Sequence, residues 1–281
     1  MPDATTLLVD NGSLEPAATL TLRELAAKLS ARLGFVADPV SLLHSAGIDP
    51  VFLGGRPAEI LFPALERRRA GGQNEFVLVP LFFGPSAALT DCIPENVARL
   101  RQKFPGLRVA LAPPLHAAGD GRLAQILADN VQAELTVLSR ASPLPQNTVR
   151  VALVDHGSPV AAVTAVRDDL ARQVAGLLGP RVTAVAPCSM ERRPEPAYDF
   201  CAPLLAGLLS APPWNAGHVV VAMQFLLPGR HAGPDGDVAA ICRAAEAAQP
   251  ALKTRMTALA GAHPLLVEIL ADRWRAAVPL S

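Results

Sequence analysis

Short apolar runs alternate along this chain with longer stretches in which apolar side chains recur at three- and four-residue spacing. The first pattern reads as strand and the second as amphipathic helix. Thr5–Val9 is such a run and ends in an Asn-Gly-Ser turn. Leu22, Leu25, Leu29 and Leu33 then share one helical face. A strand is predicted near Val40–Leu43 and a helix around Ala58–Arg69. Phe76–Phe83 is continuously apolar, as a parallel strand covered on both faces would be. A helix near Pro94–Phe104, a strand at Leu107–Ala112 and a helix at Leu123–Leu138 follow. The same order then returns, with strands predicted near 149–154, 181–186, 218–226 and 252–259 and helices near 160–178, 197–209, 237–248 and 264–277. The first of those helices carries Val163, Val166, Leu170, Val174 and Leu177 as its apolar stripe.

The return is a sequence repeat and not only a pattern. TTLLVDNGS at 5–13 matches RVALVDHGS at 150–158, an offset of 145. FVLVPLFFGPS at 76–86 matches VVVAMQFLLPG at 219–229, and Ile126–Asp129 matches Ile269–Asp272, both at an offset of 143. Two homologous halves, 1–140 and 148–281, are expected, joined by the Pro-containing polar stretch Ser139–Asn147. Alternating strand and helix in each predicts an α/β fold of two tandem three-layer αβα domains, each on a four-stranded parallel sheet. Ligands of such sheets bind at the carboxyl ends of the strands.

Composition narrows the class. The 281 residues carry 51% hydrophobic and 18% charged side chains, enough to bury a sizeable core. Lys plus Arg equals Asp plus Glu at 25 each, which gives no case for nucleic acid as a partner. Cys92, Cys188, Cys201 and Cys242 form no CxxC pair and read as buried or idle thiols in a reducing compartment. The start of the chain lacks the features of a signal peptide. The longest apolar run, Val219–Pro228, falls short of a membrane span. A cytoplasmic protein is expected, with no membrane partner.

Candidate chemistry collects in the second half. One predicted strand runs into Asp155-His156-Gly157-Ser158 and another into Pro228-Gly229-Arg230-His231. Both histidines follow strand ends, so they are expected to face one cleft. Neutral imidazoles ligate Fe²⁺, Co²⁺, Ni²⁺ and Zn²⁺. Glu191 and Glu195, after the second strand of this half, are the leading carboxylates to orient an imidazole, with Asp155 and Asp235 as further options; Asp235 could instead cap the helix that starts near Asp237. Arg230, Arg192 and Arg193 are candidates to hold anionic substituents, although surface roles for Arg192 and Arg193 are equally open. Ser158 stands between a substrate contact and a helix cap. His44, His116, His218 and His263 read as structural or surface residues. A serine hydrolase at Ser158 is disfavoured, because the Gly-x-Ser-x-Gly elbow is lacking: Asp155 and His156 precede Gly157-Ser158, and Pro159 follows.

His156-Gly157-Ser158, and Pro228-Gly229-Arg230-His231 followed by Asp235, resemble the paired signatures of the sirohydrochlorin chelatases. Gly261–Leu266, Pro80–Pro85, Ile93-Pro94 and Leu111–Leu115 resemble that family's framework, so the likeness spans nearly the whole chain. The resemblance implies insertion of Co²⁺ or Fe²⁺, with Ni²⁺ or Zn²⁺ open, into sirohydrochlorin or a related tetrapyrrole on the way to siroheme or cobalamin. The metal is then a substrate, and no organic cofactor is implied. Carried over, His156 and His231 are the metal-binding and proton-accepting pair, Glu191 a catalytic carboxylate, and Ser158, Gly229, Arg230 and Arg192 substrate contacts. Asn11 stands opposite His156, Ala88 opposite His231 and Cys92 opposite Asp235, so the first half is expected to cover substrate or to be structural. Asp155 replaces the family's small residue before the histidine, and Pro234-Asp235-Gly236 departs from its usual sequence. A non-catalytic tetrapyrrole or metal carrier is the alternative. A monomer or weak dimer is expected.

Overall fold

The structure, a computed structural model, describes residues 4–141 and 148–280. It divides into two compact units. The first unit comprises residues up to Ala118 together with those from Pro264 onward; the second runs from Gly119 to His263.

In the first unit, β1 (Thr5–Asp10), β2 (Ala37–Ser41), β3 (Glu75–Pro80) and β4 (Arg108–Leu111) form a parallel sheet ordered β2-β1-β3-β4. Its two faces are covered differently. Leu7 and Val9 pack into a core with Leu61 and Leu65 of α2 (Leu61–Ala70) and with Ile93 and Val97 of α3 (Ile93–Lys103). On the other face lie α1 (Pro16–Leu33) and a helix from the far end of the chain, Leu265–Arg275. That last helix is anchored by Trp274 Nε1–H donating to Thr6 Oγ1 at 2.9 Å and by Arg273 donating to the carbonyls of Pro114 and Leu115.

The second unit repeats this plan. Its helix α4 (Arg122–Ala141) precedes β5 (Val149–Asp155), α5 (Ala161–Leu178), β6 (Ala184–Ser189), α6 (Leu205–Ser210), β7 (Gly217–Met223), α7 (Asp237–Ala248) and β8 (Leu252–Met256). The sheet is parallel in the order β6-β5-β7-β8. One face packs on α6 and α7 through Leu205, Leu209, Val238 and Cys242, and the other on α4 and α5. The helix from Leu265 to Arg275 is α8, and β9 (Val278–Pro279) follows it.

Sequence repeats and packing units are therefore divided differently. The last helix of the first repeat, α4, belongs to the second unit, and the last helix of the second repeat, α8, belongs to the first. Both use the same kind of apolar stripe; in α4, Leu123, Ile126, Leu127, Val131, Leu135 and Leu138 are all buried. Nothing in a stripe says which of two homologous sheets it will meet.

Several elements depart from expectation. The first unit gains a fifth strand, β9, antiparallel to β4; with two residues it is too short to leave a period in the sequence. The helix expected over 197–209 is a 3₁₀ turn, Pro196–Cys201, followed by α6. Pro203 lies between them and brings no backbone N–H to a continuous helix. The strand expected at 181–186 starts at Ala184, after a 3₁₀ turn at Gly179–Arg181, and that expected at 218–226 ends at Met223. The helix expected to stop at Leu138 continues to Ala141; residues 142–147 of the expected linker lie outside the described residues. Cys188, Cys201 and Cys242 are buried free thiols and Cys92 is half-buried.

Candidate functional site

Strands β5 and β7 are neighbours, with Val154 opposite Met223, so the segments that leave their carboxyl ends start side by side. His156 follows β5 directly. His231 sits in the turn-rich segment between β7 and α7. The two rings meet edge to face, with centroids 4.6 Å apart and planes at 67°.

The hydrogen bonds at each Nδ1 bear on which ring nitrogen carries the hydrogen. His156 Nδ1 lies 2.9 Å from the carbonyl oxygen of Gly157. A carbonyl only accepts, so Nδ1 carries a hydrogen, and in the neutral ring Nε2 is then the nitrogen with the lone pair. His231 Nδ1 lies 2.6 Å from Asp237 Oδ2, a carboxylate in the first turn of α7, and the same reasoning leaves its Nε2 free. Glu191 Oε1 stands 3.4 Å from His156 Nε2. A lone pair and a carboxylate so close leave a gap that suits a cation or a proton. Arg230 Nε is 3.5 Å from Asp237 Oδ2 and offsets part of its charge. Among the described residues, no group of three or more His, Cys, Asp or Glu is gathered to hold a metal ion. The arrangement is two imidazoles, one with a carboxylate behind it at Nδ1 (Asp237 on His231) and one with a carboxylate beside Nε2 (Glu191 on His156).

The loop carrying His156 depends on backbone proximity. Gly157 has φ +94°, and a Cβ there would land on the carbonyl oxygen of Glu191. Glu191 N–H in turn donates to the carbonyl of His156 at 3.2 Å. Gly12 in the first unit repeats the feature, with φ +88° and the carbonyl of Leu43 in the way. Gly157→Ala should displace both His156 and Glu191, costing on the order of 1–3 kcal/mol of unit stability. Gly12→Ala should cost about the same but leave the imidazole pair in register. Thermal melts beside imidazole NMR signals of the two variants check this.

Beneath the rings lies a buried polar cluster. Asp155 is nearly inaccessible, and Ser189 Oγ–H donates to its Oδ1 at 2.6 Å. Arg167 of α5 donates from Nη1 to Ser189 Oγ at 2.6 Å and to the carbonyl of Cys201 at 2.9 Å. Burial pushes the Asp155 carboxyl above its ordinary range, while Ser189, Arg167, His156 and the Gly157 N–H pull it back. In the first unit, Asp10 and Ser41 occupy the matching strand ends, and Leu22 stands at the helix position of Arg167. Burial raises Asp10 to about 6, against weaker lowering by Ser41 and the Gly12 N–H. Asp10 Oδ1 has no hydrogen-bond partner.

The sign of that shift is testable. Between about pH 4 and 6 the folded chain keeps a proton on Asp10 that the unfolded chain has released, so stability falls as pH rises through that window. Above about pH 6 the penalty is complete, at most on the order of 3 kcal/mol. Asp10→Asn should therefore raise the melting temperature at pH 7.5 and change it little at pH 4. A wild-type melting temperature that does not fall between those pH values, or an unchanged variant, would contradict the account.

The other expected residues are placed as follows. Ser158 Oγ accepts from the Val160 N–H at 3.1 Å, the capping alternative. Gly229 accepts at its carbonyl from the Ala232 N–H, within the turn that carries His231. Arg230 has a largely exposed side chain. Arg192 is paired with Asp199 at 2.8 Å, and Arg193 lies over the Tyr198 ring. Asp235 is almost fully exposed, 3.9 Å from Arg243, and Asp155 is turned into the Ser189 cluster. Neither of these two carboxylates hydrogen-bonds an imidazole. Asp237 does, and sequence reasoning saw it only as a helix start. Its place in the first turn of a helix entered from a histidine loop was the available signal, but spacing alone does not separate it from Asp235. In the first unit Ala88–Cys92 forms a π-helical turn running into α3, and Asn11 is exposed. His218, expected at the surface, is half-buried with its Nδ1 enclosed and unbonded.

Comparison with known proteins brings these features together. The CbiX family model matches residues 5–134 and again 150–277. Comparison with curated proteins returns no match. Among solved structures, SirB from Bacillus subtilis with Fe³⁺ superposes at a TM-score of 0.68 and 17% identity, over 97% of this chain and 94% of that one. The sirohydrochlorin chelatase SirB from Bacillus subtilis subspecies spizizenii, in complex with cobalt, gives 0.67 and 16% over the same shares. CbiX, described as the terminal enzyme for biosynthesis of siroheme in denitrifying bacteria, gives 0.60 and 18% over 98% of this chain and 99% of that one.

Proposed function

Since the chain belongs to the CbiX family, we propose that it is a sirohydrochlorin chelatase, inserting Co²⁺ or Fe²⁺ into sirohydrochlorin or a close relative on the way to siroheme or cobalamin. The observation that carries this reading is the 4.6 Å approach of two imidazoles that both engage Nδ1 in a hydrogen bond, which in the neutral rings leaves each Nε2 its lone pair. Metal insertion asks for that pair. The ion must lose water to protein ligands, and two pyrrole N–H protons must leave as two metal–nitrogen bonds form. His231, oriented by the charge-assisted bond to Asp237, is the fixed ligand. His156 holds the same ion at Nε2 until the ring nitrogens take it over; the lone pair so released accepts one pyrrole proton, and the Glu191 carboxylate 3.4 Å away accepts the other. Glu191 and His156 are both exposed and release the two protons to solvent. Arg230 is free to meet a substrate carboxylate in part, with the Gly229 turn presenting it; Ser158 and Arg192 serve the substrate only through the loops that they hold.

Among the described residues no helix is long and apolar enough to cross a membrane. Anaerobic incubation of the purified chain with sirohydrochlorin and Co²⁺, and separately Fe²⁺, tests the reading by absorbance. Insertion faster than the uncatalysed rate is expected. Tight stoichiometric binding without turnover would support a carrier instead, and neither outcome with any divalent metal would remove the proposal.

A further inference from the structure

Arg167 is among the largest fully buried side chains, and the fold does not require a cation there. The first unit is the internal control. Its α1 and the second unit's α5 have the same length and the same offset from the preceding strand, and Leu22, equally buried, fills the position of Arg167. The acid and the serine at the strand ends are kept in both units as Asp10 with Ser41 and Asp155 with Ser189. The arginine accompanies them only in the unit that carries the histidines. Burying a guanidinium without need is costly, so its presence calls for a task.

Its contacts show the task. Nη1 donates to Ser189 Oγ at the end of β6 and to the carbonyl of Cys201, and it stands 3.9 Å from Asp155 Oδ1 at the end of β5. Nε and Nη2 both reach Asp168 Oδ1, at 2.9 and 2.7 Å, which holds the fork in one orientation. Cys201 Sγ–H donates to the carbonyl of Ser158 at 3.2 Å. One guanidinium thus joins three chain segments: the strand end before His156, the strand end before Glu191, and the far end of the loop that Glu191 begins. The His156–Glu191 contact is bracketed by these segments and is otherwise exposed. We propose that Arg167 is a positioning residue for His156 and Glu191, tying the ends of β5 and β6 to the Cys201 carbonyl so that the imidazole keeps its Nδ1–H tautomer and its distance to the carboxylate.

Its effect on turnover rests on the metal-insertion reading, but its effect on the imidazole does not. In the full chain, ¹⁵N NMR of the histidine rings, with His156 assigned by its absence in His156→Ala, reads the tautomer with no metal present. Arg167→Leu, which copies the first unit, should remain folded by circular dichroism and turn the single Nδ1–H signature of His156 into a mixture. With sirohydrochlorin and Co²⁺ its kcat should fall about 10–100-fold while KM stays near the wild-type value, and Arg167→Lys should recover part of the loss. A merely structural role would lower the melting temperature and leave the His156 signature and the kcat-against-KM split unmoved; that result overturns the proposal. If Arg167→Leu fails to fold, Ser189→Ala, which removes both the bond from Arg167 and the bond to Asp155 while leaving Arg167 its Cys201 carbonyl, must shift the same signature, and an unshifted one is equally decisive. Absence of insertion in the wild-type chain would end the chelatase reading while the ring spectra still judged Arg167.

Discussion

Replacing His231 by alanine should cut the rate of Co²⁺ insertion by about 10²-fold or more, and His156→Ala should do the same. Each change removes one of two imidazoles whose ring centroids are 4.6 Å apart. His231→Ala also strips Asp237 of the ring it orients, leaving that carboxylate only Arg230. Asp237→Asn is the finer probe. It keeps the shape and removes the charge behind Nδ1–H, and it should lower the rate by about 10–100-fold. Asn11→Ala alters the matching position of the first unit and should leave the rate unchanged. Initial rates under anaerobic conditions, with melting temperatures to confirm folding, decide among these. Two histidine variants that both insert metal at close to the wild-type rate would rule the pair out as the reacting centre.

Cutting the chain between its repeats should yield a C-terminal fragment that does not fold. Residues 148–281 contain every strand of the second unit but not α4, which covers one face of its sheet. Six large aliphatic side chains of that helix are buried, and at ~1.5–3 kcal/mol each they contribute on the order of 10 kcal/mol. An ordinary domain has only about 5–15 kcal/mol of net stability. The same fragment carries α8 with its own apolar stripe and no first-unit sheet to cover. Residues 119–263, by contrast, hold the second unit whole and should give a cooperative melt with the two imidazoles in place. Circular dichroism and size-exclusion chromatography of the two fragments settle the matter. A cooperative, monomeric 148–281 would show that α4 is dispensable.

Much of the fold was legible because each unit is built from strong local patterns. Runs such as Phe76–Val79 are covered on both faces and show it by uninterrupted apolarity, and the stripes of α1 and α5 keep helical spacing throughout. What could not be read depends on partners distant along the chain. The exchange of α4 and α8 is invisible to periodicity, since homologous sheets offer homologous faces. β9 is held by pairing with β4 and not by any preference of Val278 and Pro279. At the site, the strand ends that lead into His156 and His231 are plain in the sequence, because glycine turns mark them. The carboxylate behind His231 is not: Asp235 and Asp237 lie within one turn, and only the path of the backbone into α7 aims one at the ring and the other at solvent. Arg167 was hidden for a different reason, as a lone arginine in an apolar stripe is usually read as lying at its margin.

The placing of α4 has a consequence for a repeat that has no imidazole of its own at the matching position. A gene that discarded the first repeat would also discard a wall of the second unit. Selection can therefore hold the first repeat in place through that helix alone, and its other surfaces are released to drift toward new tasks.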